Sequence, residues 1–303
     1  MLLRTINFPR TEVLTKLTNK LNLPAPFVEA VKMKMYNRGD SWRTVTELIA
    51  PPKIAQLKRL HEKELEEDVS DLVYSFQGEV VHALIERATK NALKDAGWVS
   101  EERIFQEVLG KKISGQFDLY NPKERELIDV KNSTAWKAKQ EGCPKEWEDQ
   151  LNSLAYLCRT KGYEVERARV LLIIRDYSKL EAKRNDDYPR LPVLYLEAPV
   201  WPKKDAQAFV ERRVQLHIDN ELGPLSDCSP EERWAKPDIW AIKKKGGTKA
   251  IPGGLFALED FAKKELSKLG TGYELEYRRG DNIRCNNYCV VSDFCLQHRK
   301  HRQ

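Results

Sequence analysis

The strongest hydrophobic pattern along the chain has the period of an α-helix and lies between residues 70 and 93. Apolar side chains recur there at every fourth position, at Leu72, Phe76, Val80, Leu84 and Ala88, with Val73, Val81 and Ile85 beside them. This spacing places them on one helix face, so the sequence predicts a core-packed helix over 70–93, with Gly97 ending the region. A shorter, charged helix is expected from about 54 to 67, after the break at Pro51 and Pro52.

The pattern changes to that of β-strands after residue 101. Short apolar segments are separated by glycines such as Gly115 and by Asn121 and Pro122, which predicts strands joined by tight turns. A second helix is expected over 145–159, and 168–174 is a continuous apolar run typical of a buried strand. Helix, hairpin, helix and strand in this order indicate an α/β core.

The rest of the chain is less regular. A strand-like stretch at 194–196 is followed by a helical segment over 201–219, and residues 224–303 show no readable pattern but hold four of the six cysteines. The helical segment and the chain end carry basic clusters that favour phosphate contacts: Lys203, Lys204, Arg212 and Arg213 on the helix, and His298 to Arg302 at the end. These patterns predict three regions: an N-terminal helical region over 1–69, a core over 70–200, and a region over 201–303, packed on the core, that holds the basic helix and a Cys-rich segment.

Composition excludes several classes of protein. The 303 residues are 41% hydrophobic and 32% charged, which is too apolar for a disordered chain and sufficient for a sizeable core. Six cysteines are far fewer than a disulfide scaffold needs, and no apolar run approaches the roughly 18 residues of a membrane span. No signal peptide is apparent, so we expect a soluble protein of the cytoplasm. The net charge of +6 permits a polyanionic partner.

Candidate chemistry centres on the predicted hairpin. The period of two along a strand sends Asp129 and Lys131 to the same face, and the hairpin returns Asp118 beside Asp129. Two carboxylates can hold Mg²⁺ or Mn²⁺, which activates water, and a lysine can stabilise charge in the transition state. The carbonyl of Val130 is a further candidate ligand. For the hairpin alone, a solvated ion pair worth about 0–1 kcal/mol is the favoured alternative.

The two predicted helices add polar residues to this hairpin. His82 could ligate the metal through a ring nitrogen, with Glu86 on the same helix face orienting it. Gln150 on the second helix could touch a metal-bound water or a DNA phosphate. Trp136, just after the second strand of the hairpin, is a candidate for base stacking. Taken singly, His82 and Gln150 are better explained as ordinary structural positions.

The order of these parts resembles the RecB-like branch of the PD-(D/E)XK nuclease superfamily, which includes the AddB nuclease, CRISPR-associated iron–sulfur exonucleases and many phage exonucleases. The resemblance covers residues from about 45 to 176 and rests on the following positions: Gly78 and His82 for the first motif, Asp118 for the second, Asp129, Val130 and Lys131 for the third, and Gln150 on the later helix. It implies a restriction-endonuclease-like core with flanking helices. It also implies that the metal is bound by His82, Asp118, Asp129 and the Val130 carbonyl, with Lys131 catalytic.

The function implied by this resemblance is metal-dependent hydrolysis of DNA by an exonuclease acting on linear or single-stranded ends. Such an enzyme would serve phage-type or recombination and repair processing, beside a helicase or recombinase, in the bacterial host cytoplasm if phage-encoded. Two alternatives stay open. One is a structure-specific endonuclease of the resolvase type on the same fold; the other is a DNA-binding subunit that does not cut, against which the intact Asp118, Asp129 and Lys131 argue.

Three cysteines with the spacing C-x3-C-x5-C stand near the chain end: Cys285, Cys289 and Cys295. In a reducing compartment this spacing indicates Zn²⁺ or an iron–sulfur cluster rather than disulfides, with free thiols as the alternative. The resemblance places the triplet on a [4Fe–4S] cluster, for which Cys228 is the favoured fourth ligand and Cys143 the second choice. His298 would instead complete a Cys₃His zinc site, and Cys158 is expected to be a small apolar core residue.

Overall fold

A computed structural model describes residues 16–33, 38–140 and 142–302, except the side chains of Lys94 and Arg302. The chain forms two compact units that meet in sequence between Leu225 and Ser226. Both units mix helices with β-sheet, so the predicted α/β character is confirmed. No helix within the described ranges combines the length and apolar character that a membrane span requires.

Eight helices are described in the first unit: α1 (Ala25–Lys32), α2 (Val45–Ile49), α3 (Pro52–Leu60), α4 (Val73–Ala92), α5 (Ala135–Ala138), α6 (Lys145–Thr160), α7 (Lys179–Arg184) and α8 (Lys203–Leu222). Its described strands are β1 (Lys16–Thr18), β2 (Arg43–Thr44), β3 (Glu66–Asp68), β4 (Val99–Val108), β5 (Lys111–Asn121), β6 (Glu126–Ser133), β7 (Arg167–Ile174) and β8 (Val193–Ala198). β1 and β3 form a separate parallel pair.

The six remaining strands form one sheet in which β5 is the branching strand. β4 pairs with β5 along one edge, and β2 and β6 share the other edge. β2 pairs with residues 113 and 114 of β5, whereas β6 pairs with residues 119–121. Residues 115–118 therefore lie in a fork between two strands on that edge. The sheet continues through β7, parallel to β6, and β8, antiparallel to β7.

Helices cover both faces of this sheet, as the side chains of β6 show by packing alternately on one face and the other. Leu127 is buried in the main core with Leu151 and Leu154 of α6. Ile128 and Val130 instead pack with Val81 and Ile85 of α4. Because successive strand side chains point to opposite faces, α6 and α4 lie on opposite sides of the sheet. Cys158 of α6 is fully buried in the main core, as predicted.

The helix predicted over 70–93 exists, but the positions of the four-residue repeat are not all on its packed face. A single 3₁₀ turn precedes it, and α4 itself runs from Val73 to Ala92. Val80 is 42% exposed and Leu84 is 50% exposed. Val81 and Ile85, which the prediction placed beside this repeat, are the side chains of α4 that pack on the sheet. Similarly, the charged helix expected over 54–67 ends at Leu60 and gives way to β3.

Gly115 is not at a break between strands but inside β5. A Cβ at this position would lie 2.6 Å from Leu154 Cδ2 and 2.7 Å from Leu157 Cδ1, both on α6. It would also lie 2.9 Å from Val45 Cγ2 on α2. The glycine therefore permits α2 and α6 to pack directly on the strand at the fork.

The basic helix of the sequence analysis is α8, which belongs to the first unit and packs on α2, α3 and α6. The prediction had grouped it with the Cys-rich region. Arg213 is not part of a free basic surface, because it donates hydrogen bonds to the carbonyls of Leu48 and Ala50, 2.7 Å in each case. It thus satisfies the carbonyls at the end of α2. Lys203, Lys204 and Arg212 are exposed.

The second unit has a three-stranded antiparallel sheet in the order β10, β9, β11. Its described elements are β9 (Ile239–Lys244), β10 (Ala250–Phe256), α9 (Glu259–Leu266), β11 (Tyr273–Arg278), α10 (Ile283–Asn287) and α11 (Leu296–Arg302). α9 packs on all three strands. The cysteine triplet lies after the sheet, on α10 and in the segment that leads to α11. The sequence pattern had not resolved any of these elements.

Candidate active site

The fork in the sheet is closed by a side chain. Asp118 lies immediately beyond the last paired residue of β5, Leu119, where β5 and β6 separate. Its Oδ2 accepts a hydrogen bond from the backbone N–H of Val130, over 2.6 Å. The carboxylate takes the place of a ladder hydrogen bond and is thereby fixed against β6. The prediction that the hairpin returns Asp118 to the Asp129 segment is met through this contact with Val130.

The other oxygen of Asp118 belongs to a cluster of three ionisable groups. Nδ1 of His82 lies 3.4 Å from Asp118 Oδ1 and 3.1 Å from Glu101 Oε1. One ligand atom from each of the three residues lies within 4.8 Å of the others. Burial alone would lower the pKa of His82, but its hydrogen bonds to Asp118 and Glu101 outweigh burial and raise it to about 10.

Glu101 was not among the predicted site residues. In the antiparallel register, Ser100 pairs with Leu119 and Glu102 with Phe117, so Glu101 stands opposite Asp118. Its φ of +51° is left-handed, an uncommon conformation for a non-glycine residue. The amide of Gln116 donates to Glu101 Oε2 over 2.5 Å, and Arg103 in turn donates to Gln116 over 2.7 Å. One signal in the sequence could have indicated Glu101: with the register of the hairpin formed by β4 and β5, it is a carboxylate directly opposite Asp118.

Glu86 does not orient His82, contrary to the expectation from the helix face. Its carboxylate pairs with Lys90, one turn further along α4. The orienting carboxylates for His82 come from the sheet instead. Gly78, also on α4, has no atom within 4 Å of where its Cβ would stand, so no backbone approaches it closely in the described part of the chain.

A second cluster joins Asp129, Lys131 and Gln150. Lys131 Nζ lies 2.8 Å from Asp129 Oδ2 and donates to Gln150 Oε1 over 3.0 Å. Gln150 Nε2 donates to Asp129 Oδ1 over 3.0 Å. The three groups thus form a closed ring between β6 and α6. The shared face of Asp129 and Lys131 follows the strand period that the sequence suggested.

Burial governs the charge of this ring. Asp129 is only 3% exposed, and this burial raises its pKa, with the neighbouring Lys131 opposing the rise and Asp118 adding to it. Burial would lower the pKa of Lys131, yet the charges of Asp129 and Asp118 raise it above its usual value. Lys131 is therefore held as an ammonium group, and it is the cation that keeps a buried carboxylate ionised.

The donor set can accommodate a divalent cation. Carboxylate oxygens are the ligands that Mg²⁺ and Mn²⁺ prefer, and an imidazole is compatible with Mn²⁺. Glu101 and Asp118 supply oxygens beside the ring nitrogen of His82, which would release its proton when a cation binds. Asp129 Oδ2 is buried and accepts no hydrogen bond of good geometry in the described residues, although Lys131 is near it. An under-coordinated buried carboxylate oxygen is suited to a cation.

The predicted cysteines occupy different places in the chain. Cys228 is tied to the start of α11, because its N–H donates to Gln297 Oε1 and its carbonyl accepts from Gln297 Nε2, both over 2.9 Å. Burial raises the pKa of Cys285, and the neighbouring Cys289 and Cys295 raise it further. All four belong to the second unit. Cys143 belongs to the first unit, where burial raises the pKa of its thiol to about 11.

His298 has protein partners at both ring nitrogens. Its Nδ1 lies 3.2 Å from the carbonyl of Ser292, and its Nε2 lies 2.8 Å from Asn286 Oδ1. The ring is also buried, with 3% exposed. A metal ligand needs one free ring nitrogen. This arrangement argues against His298 as the fourth ligand of a zinc site.

Comparisons with known proteins find similar solved structures. No protein-family model matches the chain, and no curated protein matches it. Among solved structures, SSO0001 is 15% identical, with a TM-score of 0.43 over 69% of this chain and 87% of that one. A candidate exonuclease from Eubacterium rectale is 10% identical, with a TM-score of 0.32 over 57% of this chain and 63% of that one. A phage-related exonuclease from Haemophilus somnus 129PT is 15% identical, with a TM-score of 0.28 over 71% of this chain and 92% of that one.

Proposed function

We propose that this protein is a metal-dependent nuclease that hydrolyses phosphodiester bonds of DNA. The observation that supports the proposal is the hydrogen bond from Val130 to Asp118. It joins the cluster of His82 and Glu101 to the ring of Asp129, Lys131 and Gln150 at one fork in the sheet. Carboxylates for a cation and an ammonium group for a phosphate are thus brought to one place.

The residues that would hold the cation are His82, Glu101, Asp118 and Asp129, with the Val130 carbonyl as a further proposed ligand. Glu101 is an addition to the set drawn from the resemblance. A bound Mg²⁺ or Mn²⁺ would supply a Lewis acid and a more acidic water. The protein's own part is to fix the carboxylates: Asp118 through Val130, and Glu101 through Gln116.

Lys131 is the proposed catalytic cation. Its ammonium group is held by Asp129 and Gln150 in a fixed position, so little rearrangement is needed to stabilise charge that develops on a phosphate oxygen. Gln150 can turn its amide oxygen or its amide nitrogen toward a water or a phosphate only by giving up a hydrogen bond within the ring. We therefore assign Gln150 to the positioning of Lys131 and Asp129.

Within this reaction class, an exonuclease acting on linear or single-stranded ends is the preferred form. This preference comes from the resemblance to the RecB-like branch, in which a helicase or recombinase would be the working partner. The alternatives are an endonuclease of the resolvase type and a DNA-binding subunit that does not cut. All three forms use the same fork, so substrate topology has to separate them.

The test compares end-labelled linear DNA with covalently closed circular DNA, each with Mg²⁺ or Mn²⁺, for the parent and Asp129→Asn. The exonuclease proposal expects hydrolysis of linear DNA only, and only by the parent. Cutting of circles by the parent would replace it with the endonuclease. Binding of DNA without hydrolysis of either substrate would reject a nuclease and favour the binding subunit.

For the second unit we propose a [4Fe–4S] cluster held by Cys228, Cys285, Cys289 and Cys295. The contacts of Cys228 with Gln297, two residues after Cys295, favour it over Cys143 as the fourth ligand. A single Zn²⁺ with sulfur ligands at about 2.3 Å would bring the sulfurs to within about 4 Å of one another. In the described residues, no three cysteine sulfurs lie within 4.8 Å of each other, and the choice of a cluster over Zn²⁺ comes from the resemblance.

Anaerobic purification tests the cluster directly. A brown protein with broad visible absorbance and about four iron atoms per chain is expected for the parent. Cys289→Ala should lose the colour and unfold more easily, because a bound cluster contributes to folding. A colourless parent that contains zinc would establish the zinc alternative, and a metal-free parent in which all four of these thiols can be alkylated would reject both.

A further inference from the structure

Two exposed aromatic rings lie near the ends of neighbouring strands: Trp136 follows β6, and Tyr74 contacts Arg175, which follows β7. Trp136 is 65% exposed and lies on α5, which follows β6 directly and starts four residues after Lys131. Tyr74 is 59% exposed and lies in the first turn of α4. Arg175 connects the two regions: it follows β7, and its N–H donates to the carbonyl of Ser133 at the end of β6 over 2.9 Å.

Trp136 is presented on a well-fixed turn. The N–H of Ala135 donates to Asp176 Oδ1 over 2.7 Å, which anchors the start of α5. Lys137 pairs with Glu146 over 2.8 Å, and its Nζ lies 5.7 Å from the centre of the Trp136 ring. It also lies 5.5 Å from the ring of Trp147, which is buried. An indole that is held in place yet left in water is free to contact a ligand.

The ring of Tyr74 carries a cation on one face. The guanidinium carbon of Arg175 lies 3.9 Å from the centre of this ring. No carboxylate of the described residues forms an ion pair with Arg175, which is itself exposed. A guanidinium that stacks on an aromatic ring and keeps its donors unpaired is suited to a phosphate. Aromatic rings and a cation therefore occur together here.

We infer that Trp136, Tyr74 and Arg175 form a binding rim for a single-stranded polynucleotide that leads to Lys131. Unpaired bases would stack on the two rings, and Arg175 would contact the backbone between them. A duplex does not fit this rim, because its base faces are already stacked on one another. The inference rests on the proposed function and deepens it, since it makes an unpaired strand the substrate.

The experiment measures binding in EDTA, so that no strand is cut. Three fluorescein-labelled probes are used: an oligothymidylate, a strand of equal length with abasic sugars, and a blunt duplex. Trp136→Ala and Tyr74→Ala should each weaken binding of the oligothymidylate by about tenfold, the usual scale of one base–aromatic stack. Neither should change binding of the abasic strand, and Trp136→Phe should restore most of the loss.

Tyr195 offers a matched control. It is 50% exposed, and Arg169 lies 4.1 Å from its ring centre, but Glu126 neutralises that arginine. Tyr195→Ala should leave binding of every probe unchanged. Equal weakening by Tyr195→Ala and Tyr74→Ala would overturn the rim, as would equal weakening of the oligothymidylate and the abasic strand.

The outcome is separable from that of the proposed function. A parent that cuts DNA while Trp136→Ala and Tyr74→Ala bind and cut the unpaired strand as well as the parent would overturn the rim alone. Ring-dependent binding of the oligothymidylate by a parent that cuts nothing would support the rim and reject the nuclease. An oligouridylate run beside the oligothymidylate shows whether the unpaired strand is DNA or RNA.

Discussion

Asp118 accepts a hydrogen bond from the backbone N–H of Val130 at the point where their two strands separate. A side chain thus holds together two strands that the sheet no longer pairs. The separation follows from β2, which pairs with residues 113 and 114 on the same edge of β5, whereas β6 pairs with that edge only from Leu119 onward. The candidate site therefore lies in an interruption of the sheet, where side chains rather than backbone groups meet.

Glu101 is expected to contribute to cation binding. Glu101→Gln keeps the size of the side chain but removes one of the two carboxylates beside His82. We expect Mn²⁺ affinity, measured by isothermal titration calorimetry, to fall by about ten- to a hundredfold. The matched control is Glu86→Gln, which removes a carboxylate from α4 that pairs with Lys90. Equal Mn²⁺ affinity in the two variants would contradict a role for Glu101.

Removal of Lys131 is expected to cost stability as well as activity. Lys131→Met leaves the buried Asp129 without its cation, and such a loss typically costs about 3–5 kcal/mol. Since the Lys131 side chain is 24% exposed, solvent screening should reduce this cost to about 2–3 kcal/mol in urea unfolding.

A second substitution separates stability from activity at the same pair. Asp129→Asn combined with Lys131→Met removes both charges, so most of the lost stability should return, while DNA hydrolysis should stay absent. A double variant as unstable as Lys131→Met would show that the ring is not held by charge pairing.

Gly115 and Gly78 are expected to respond in opposite ways to alanine. Gly115→Ala places a methyl group against Leu154 and Leu157 at less than 3 Å, and overpacking of this kind costs about 1–3 kcal/mol. Gly78→Ala meets nothing within 4 Å in the interior of α4, so it should stabilise the helix by up to about 1 kcal/mol. Thermal unfolding of the two variants against the parent measures both. A destabilised Gly78→Ala would mean that another group approaches α4 there.

His217 is expected to make the protein sensitive to acid. Burial, with help from the nearby Arg213, lowers the pKa of His217 to about 4 from its usual 6.5. Between pH 6.5 and about pH 4, His217 is therefore protonated in the unfolded chain but neutral in the folded protein. The free energy of unfolding falls as the pH drops through this range. The full difference amounts to about 3 kcal/mol.

Urea unfolding over this pH range checks the prediction against His217→Gln, which cannot take up the proton. His217 Nε2 lies 3.2 Å from the carbonyl of Leu48, and a glutamine amide can also donate a hydrogen bond there. The gap in stability between parent and variant should narrow by about 3 kcal/mol on acidification. A constant gap would show that the pKa of His217 is the same in the folded and unfolded protein.

Local sequence determined much of this molecule. The alternation along β6 fixed Asp129 and Lys131 on one face, since that relation depends only on the strand itself. The apolar run of β7 and the amphipathic α6 could likewise be predicted from the sequence, and α6 brings Gln150 to Asp129 and Lys131. In α4 the sequence offered two adjacent apolar stripes that differ by one residue, and only the strand beneath the helix selects Val81 and Ile85 over Val80 and Leu84.

Tertiary structure decided what no local pattern contains. The pairing of β4 with β5 put Glu101 opposite Asp118, and the sharing of one edge by β2 and β6 opened the fork that Asp118 fills. Both depend on which strands meet and in what register, which is a choice among distant segments. Sequence by itself determined the chemistry of single strands and helices. The fold decided which of those groups share a site, because contacts between strands are set by burial and pairing across the whole sheet.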